Sequence, residues 1–153
     1  MKVREIMTAQ PVTCAPGTNL AEAAALMLDA DCGILPVVAD GKLVGVVTDR
    51  DMYIALATRN KLASEVTVDE VARRQVFTCE PDDDVHAVLA SMKRHHVRRL
   101  PVEGFGGTVA GIVSMNDILL STGQRKPLRP EQVVDTFQAI CAHHHAIAHV
   151  TAA

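Results

Sequence analysis

Gly45-Val46-Val47-Thr48-Asp49-Arg50-Asp51 returns 66 positions later as Gly111-Ile112-Val113-Ser114-Met115-Asn116-Asp117. The shared pattern is a glycine, two apolar residues, a hydroxyl residue, two variable positions and an aspartate. Working outward at a shift of 65, Leu35-Pro36-Val37 falls on Leu100-Pro101-Val102, and Met27 on Met92. Thr13-Cys14-Ala15-Pro16 falls on Thr78-Cys79-Glu80-Pro81, and Val3-Arg4-Glu5-Ile6 on Val68-Asp69-Glu70-Val71. Order and spacing kept over roughly fifty residues mark an internal repeat, which is read before anything else because it decides the fold.

Each copy carries the same local signals. Leu20, Ala23, Ala24 and Met27 stand at helical spacing, as do Val85, Val88, Leu89 and Met92, with Asn19 and Asp84 as N-caps. Short β-branched runs follow, Ile34 to Val38 and Leu43 to Val47 around Asp40-Gly41, a hairpin signal. The second copy has Arg99 to Val102 and Val109 to Val113 around Gly104-Phe105-Gly106-Gly107, and a further helix begins near Asp49 and near Met115. A unit this small cannot bury both faces alone, so the two copies must pack together through a shared sheet or cleft. The expected fold class is α/β (α+β), two pseudo-two-fold-related β-α-β-β-α repeats plus a C-terminal helix. The expected organisation is repeat 1 over 1–60, a linker over 61–67, repeat 2 over 68–122, and a linker with a His-rich helix over 123–153.

The recurring motif has two physical readings. Thr48 with Asp51, and Ser114 with Asp117, have the spacing of a capping box, a purely structural device. The same position offers the free N–H groups and positive end of a helix to an anion. There the hydroxyl can donate to a phosphate, while the aspartate repels phosphate and accepts from vicinal hydroxyls. The pair therefore suits a ribose phosphate better than a bare phosphate.

With its tandem repeat, Leu-Pro-Val strand and paired Gly-x-x-[Thr/Ser]-x-x-Asp motif, the chain over about residues 1–122 resembles a pair of cystathionine β-synthase (CBS) domains, a Bateman module. The resemblance implies clefts between the repeats that bind AMP, ADP, ATP, S-adenosylmethionine or NAD(H), and modules that pair as homodimers. It implies Thr48 and Ser114 as phosphate contacts, Asp51 and Asp117 as ribose contacts. By the same resemblance Thr13, Ile34, Leu35, Pro36 and Val37 face Ser114 and Asp117, while Thr78, Arg98, Arg99, Leu100 and Pro101 face Thr48 and Asp51. The Thr48 cleft, with Arg50 and one or both of Arg98 and Arg99, is expected to prefer the more phosphorylated ligand, because arginine binds phosphate in bidentate fashion. The other cleft, with Asn116 and Gly33, suits a less charged one. A stand-alone regulatory module signalling to a separate effector protein is the expectation. The alternative is a scaffold with vestigial clefts that binds a partner or metal through its tail.

Composition narrows the remaining classes. A net charge of −3 from 15 basic and 18 acidic residues, with 3% aromatics, disfavours nucleic acid as a partner, although Lys93-Arg94-His95-His96 is a dense basic run. Neither a membrane span nor a secretory leader is read, and four cysteines outside any C-x-x-C pair point to reduced thiols in the cytoplasm. None of the standard catalytic motifs occurs, so no enzyme activity and no required cofactor are expected. Val133, Val134, Phe137, Ile140, Cys141 and Ile147 predict an amphipathic helix from about Glu131 to His149, which docks on the module or mediates assembly. On it Cys141, His145 and His149 share a face at metal-ligand spacing, against the plainer reading of a solvated or partner-contacting helix.

Overall fold

The structure is a computed structural model and describes residues 1–122 and 128–142. Both copies fold as their patterns direct. Asn19 caps α1 (Leu20–Asp29) by accepting from the Glu22 N–H at 2.9 Å, and the hairpin of β2 (Ile34–Ala39) and β3 (Lys42–Thr48) leads into α2 (Asp49–Arg59). The turn residues Asp40 and Gly41 have φ of 50° and 75°, the left-handed pair that an Asp-Gly hairpin tolerates. In the second copy Asp84 caps α3 (Val85–His95), followed by β4 (Arg99–Glu103), β5 (Val109–Ser114) and α4 (Met115–Ser121).

Two cores result. Leu20, Ala23 and Met27 of α1 bury against Leu35, Val37 and Val47, and Val85, Val88, Leu89 and Met92 of α3 bury against Leu100, Val102 and Val113. The strand alternation sends Leu35, Val37 and Leu100 inward, away from any cleft.

The repeats exchange their opening segments. Val3 is fully buried in the second copy's core, its N–H donating to Asp83 O at 3.0 Å. The strand β1 (Thr8–Ala9) pairs with β5, Thr8 opposite Ile112 and Ala9 opposite Gly111, giving the sheet order β1-β5-β4. Reciprocally, Val66 and Val68 fill the first copy's core, and Arg73 bridges Val46 in β3. The segment 61–67 is thus more than a connector, since it holds a 3-10 turn at Ala63–Glu65 and the fully buried Val66. The exchange also explains the glycine of the motif. A Cβ at Gly111 would lie 2.9 Å from Thr8 O and 2.7 Å from Met7 Sδ, and one at Gly45 would lie 3.0 Å from Arg73 O.

The tail docks. Helix α5 (Pro130–Cys141) opens on a proline at its first position and packs on α3, with Leu128 and Val133 in the second core. Lys93 Nζ donates to Asp135 Oδ2 at 2.6 Å, and His96 Nδ1 lies 3.0 Å from Ala139 O. The helix expected to reach His149 ends at Cys141, where Ala142 leaves helical geometry with ψ of 116°. His145 and His149 lie outside the described residues.

Candidate ligand cleft

Both motifs build the capping box their spacing predicts. The Asp51 N–H donates to Thr48 Oγ1 at 3.2 Å, and Asp51 Oδ2 accepts from the Thr48 hydroxyl at 2.7 Å and its N–H at 3.3 Å. At the second site the Asp117 N–H donates to Ser114 Oγ at 3.3 Å, and Asp117 Oδ2 accepts from the Ser114 hydroxyl at 2.6 Å and its N–H at 2.7 Å. The cap uses one carboxylate oxygen, so the structural and ligand readings compete only for Oδ2.

The other oxygen separates the two sites. Asp51 Oδ1 accepts from Arg73 Nε at 3.1 Å and Nη2 at 2.7 Å. The Asp51 side chain is 10% exposed and that of Arg73 63%. Burial pushes the Asp51 carboxyl up, and the hydrogen bonds from Arg73 and Thr48 with the guanidinium charge outweigh it and hold the carboxyl below its ordinary value. Among the described residues Asp117 Oδ1 has no hydrogen-bond partner.

Asp117 opens on a cleft of about 360 Å³. One wall is the exchanged segment, Thr8, Gln10, Pro11 and Val12. A second comes from the end of α1 and the start of β2, with Asp31, Cys32, Gly33 and Ile34, and the floor from Arg99, Ile112, Ser114, Asn116 and Asp117. Ile34, Ser114 and Asp117 line this cleft together.

Other expected residues sit elsewhere. Thr13 is exposed and off the cleft wall, and Pro36 and Pro101 are buried. The strand edges beside them are already used, since the Cys14 N–H donates to Pro36 O at 3.0 Å and the Cys79 N–H to Pro101 O at 3.2 Å. Leu35, Val37 and Leu100 serve the cores. Arg99, expected beside Thr48 and Asp51, lines the Ser114 cleft and a shallower concavity bordered by Asp49, because it pairs with Ser114 across β4 and β5. Arg50 and Arg98 are exposed, and Thr78 is half-buried. Among the residues missed are Arg73, Thr8, Gln10 and Cys32. A shift of 65 puts Thr8 under Arg73, which relates the two positions but does not by itself mark either as a site residue. Among the described residues no group of three or more His, Cys, Asp or Glu side chains is placed to hold a metal.

Two α/β repeats that exchange their opening segments, each with a hydroxyl–aspartate cap, define a tandem-repeat module architecture. The chain belongs to the CBS domain family, whose model matches residues 3–58 and 68–121. It is 38% identical over 122 residues to the uncharacterized protein YlbB of Bacillus subtilis, covering 78% of this chain and 81% of YlbB. It is 32% identical over 125 residues to the L-aspartate semialdehyde sulfurtransferase of Methanocaldococcus jannaschii, covering 81% of this chain and only 24% of that enzyme. The solved CBS domain pair of protein MJ0100, in complex with 5′-methylthioadenosine and S-adenosyl-L-methionine, matches with a TM-score of 0.74 and 31% identity, covering 82% of this chain and 98% of that one. Among the described residues no helix is long and apolar enough to cross a membrane.

Proposed function

We propose that the chain is a regulatory module that binds an adenosine-type ligand in the Ser114–Asp117 cleft and passes occupancy to a separate effector protein. The observation that carries this reading is the unpartnered Oδ1 of Asp117 on a cleft of about 360 Å³. That volume lies within the roughly 300–1,000 Å³ of small-molecule sites. Oδ1 accepts one ribose hydroxyl, and the neighbouring hydroxyl competes for Oδ2 with Ser114. Displaced from Oδ2, the Ser114 hydroxyl is released to donate to the ligand's 5′ substituent. Ile34, Pro11 and Val12 offer an apolar wall for the base. The lining carries two carboxylates, Asp31 and Asp117, against one guanidinium, Arg99, which favours a nucleoside with little negative charge. The 5′-methylthioadenosine and S-adenosylmethionine held by the MJ0100 pair are ligands of that kind.

Signalling follows from the walls. The ligand would touch both repeats and the exchanged segment, so it shifts their arrangement by its differential affinity for the two states. A homodimer is the assembly we assign. Tyr53 and Ile54 on α2 and Leu119 and Leu120 on α4 occupy equivalent repeat positions and are all exposed, a matched apolar surface for a second copy. This role requires no catalysis, cofactor or metal, and the four free thiols are compatible with a reducing compartment. Isothermal calorimetry with 5′-methylthioadenosine, S-adenosylmethionine, AMP and ATP tests the reading, with Asp117→Ala alongside. Saturable heat lost in Asp117→Ala supports it. Absence of heat with all four ligands at millimolar concentration overturns it and turns attention to a scaffold role for the tail.

A further inference from the structure

The same motif occurs twice, yet only one copy leaves its aspartate open. At the Thr48 motif, Arg73 donates from Nε and Nη2 to Asp51 Oδ1, while Thr48 holds Oδ2, so both carboxylate oxygens are taken. In the Ser114 cleft the position equivalent to Arg73 is Thr8. Each stands opposite the residue after the motif glycine, Arg73 at Val46 and Thr8 at Ile112. Thr8 lines the open cleft and makes no bond to Asp117.

We propose that Arg73 is a built-in occupant of the Thr48–Asp51 cleft, so that the chain binds one adenosine-type ligand and its own guanidinium closes the second site. The inference rests on the reading of the Ser114 cleft given above. The chemistry is direct competition, because a ribose hydroxyl pair at Asp51 must displace two charge-assisted hydrogen bonds, which are about twice as strong as neutral ones. The Asp51 side chain is only 10% exposed while that of Arg73 is 63% exposed, so solvent screens the pair in part and its two-point geometry carries the competition. Thr8 is too short to play this part at Asp117. The single residue pair Thr8 and Arg73 thus sets which cleft accepts ligand and how many ligands the chain holds.

The reciprocal substitutions Arg73→Thr and Thr8→Arg test this by calorimetry with 5′-methylthioadenosine, with Asp51→Ala and Asp117→Ala as reporters of the site used. The expected stoichiometry is one per chain in the unaltered protein, lost in Asp117→Ala and unchanged in Asp51→Ala. Arg73→Thr is expected to raise it to two, the added site lost on further Asp51→Ala exchange. Thr8→Arg is expected to remove binding while a thermal melt shows the protein folded. Stoichiometry of two in the unaltered protein, or of one in a folded Arg73→Thr, overturns the inference and leaves the ligand reading standing. Silence of the unaltered protein toward every ligand overturns both.

Discussion

Cys14 and Cys79 occupy equivalent positions in the two cores, and burial sets their chemistry. It pushes the Cys14 thiol up to about 11 and, helped by the nearby Asp83 charge, the Cys79 thiol up to about 12, from an ordinary 9.0. Because the folded values are raised, the stability these neutral thiols contribute is full below pH 9 and is lost as pH rises from there toward 11 and 12. Thermal melts are expected to fall along that alkaline limb, less steeply in Cys14→Ala and Cys79→Ala. With a thiol reagent at pH 8, the exposed Cys141 reacts first and the half-buried Cys32 next, and Cys14 and Cys79 only on unfolding. Cys32 lines the candidate cleft, so a ligand bound there as proposed is expected to slow its labelling alone. Labelling of Cys79 in the folded protein as fast as Cys141 would defeat this account. The hydroxyl and aspartate of the motif were legible because their spacing is itself a helix-cap signal. Arg73 was not legible as a site residue, because its partner Asp51 lies 22 positions earlier and meets it only through the segment exchange.

At the level of elements, hairpins and caps were readable from local patterns, whereas the placement of the opening strand was not. Two residues, Thr8 and Ala9, carry too little periodicity to announce a strand, and their partner β5 is about a hundred positions away. The tail helix was readable through Val133, Phe137 and Ile140, but its end was not, since no glycine or proline follows Cys141 to announce a stop. The opening strand's docking depends on a position without a side chain. Alanine normally gains about 0.5–1 kcal/mol over glycine inside a strand. At Gly111 the sign is expected to reverse, because the new Cβ would meet the Thr8 carbonyl at 2.9 Å and β1 must move off β5. The cost is expected near that of overpacking, about 1–3 kcal/mol, read as a lower Tm. Ligand affinity falls with it, since Thr8 and Gln10 are part of the cleft wall. Gly17, with nothing within 4 Å of its would-be Cβ, is the control. Equal melting of Gly111→Ala and Gly17→Ala would show that the strand is not held there.

On the scale of the molecule, the exchange makes each repeat's core incomplete without the other. Val3 closes the second core, Val66 and Val68 close the first, and all three are fully buried. Backbone bonds run both ways, Val85 N–H to Met1 O at 3.0 Å and Leu20 N–H to Val66 O at 2.9 Å. Residues 1–60 alone would lose Val66 and Val68 and leave the Leu20 N–H and Thr18 carbonyl without these partners, the kind of defect that costs about 1–3 kcal/mol for each buried group. The hydrophobic loss adds about 1.5–3 kcal/mol for each buried valine exposed. These terms are large against the roughly 5–15 kcal/mol that stabilises a whole small protein. One cooperative transition is therefore expected in calorimetry, with van't Hoff and calorimetric enthalpies equal once protein concentration is low enough to exclude assembly. Residues 1–60 on their own are expected to show no cooperative melt. Two resolved transitions, or a folded 1–60 fragment, would mean that the exchanged segments decorate the cores rather than complete them. In that case the repeats could respond to ligand independently. Cooperative unfolding would instead mean that a ligand gripping Thr8, Ile34 and Asp117 acts on one coupled body, the condition for occupancy of a single cleft to be felt on both sides of the molecule.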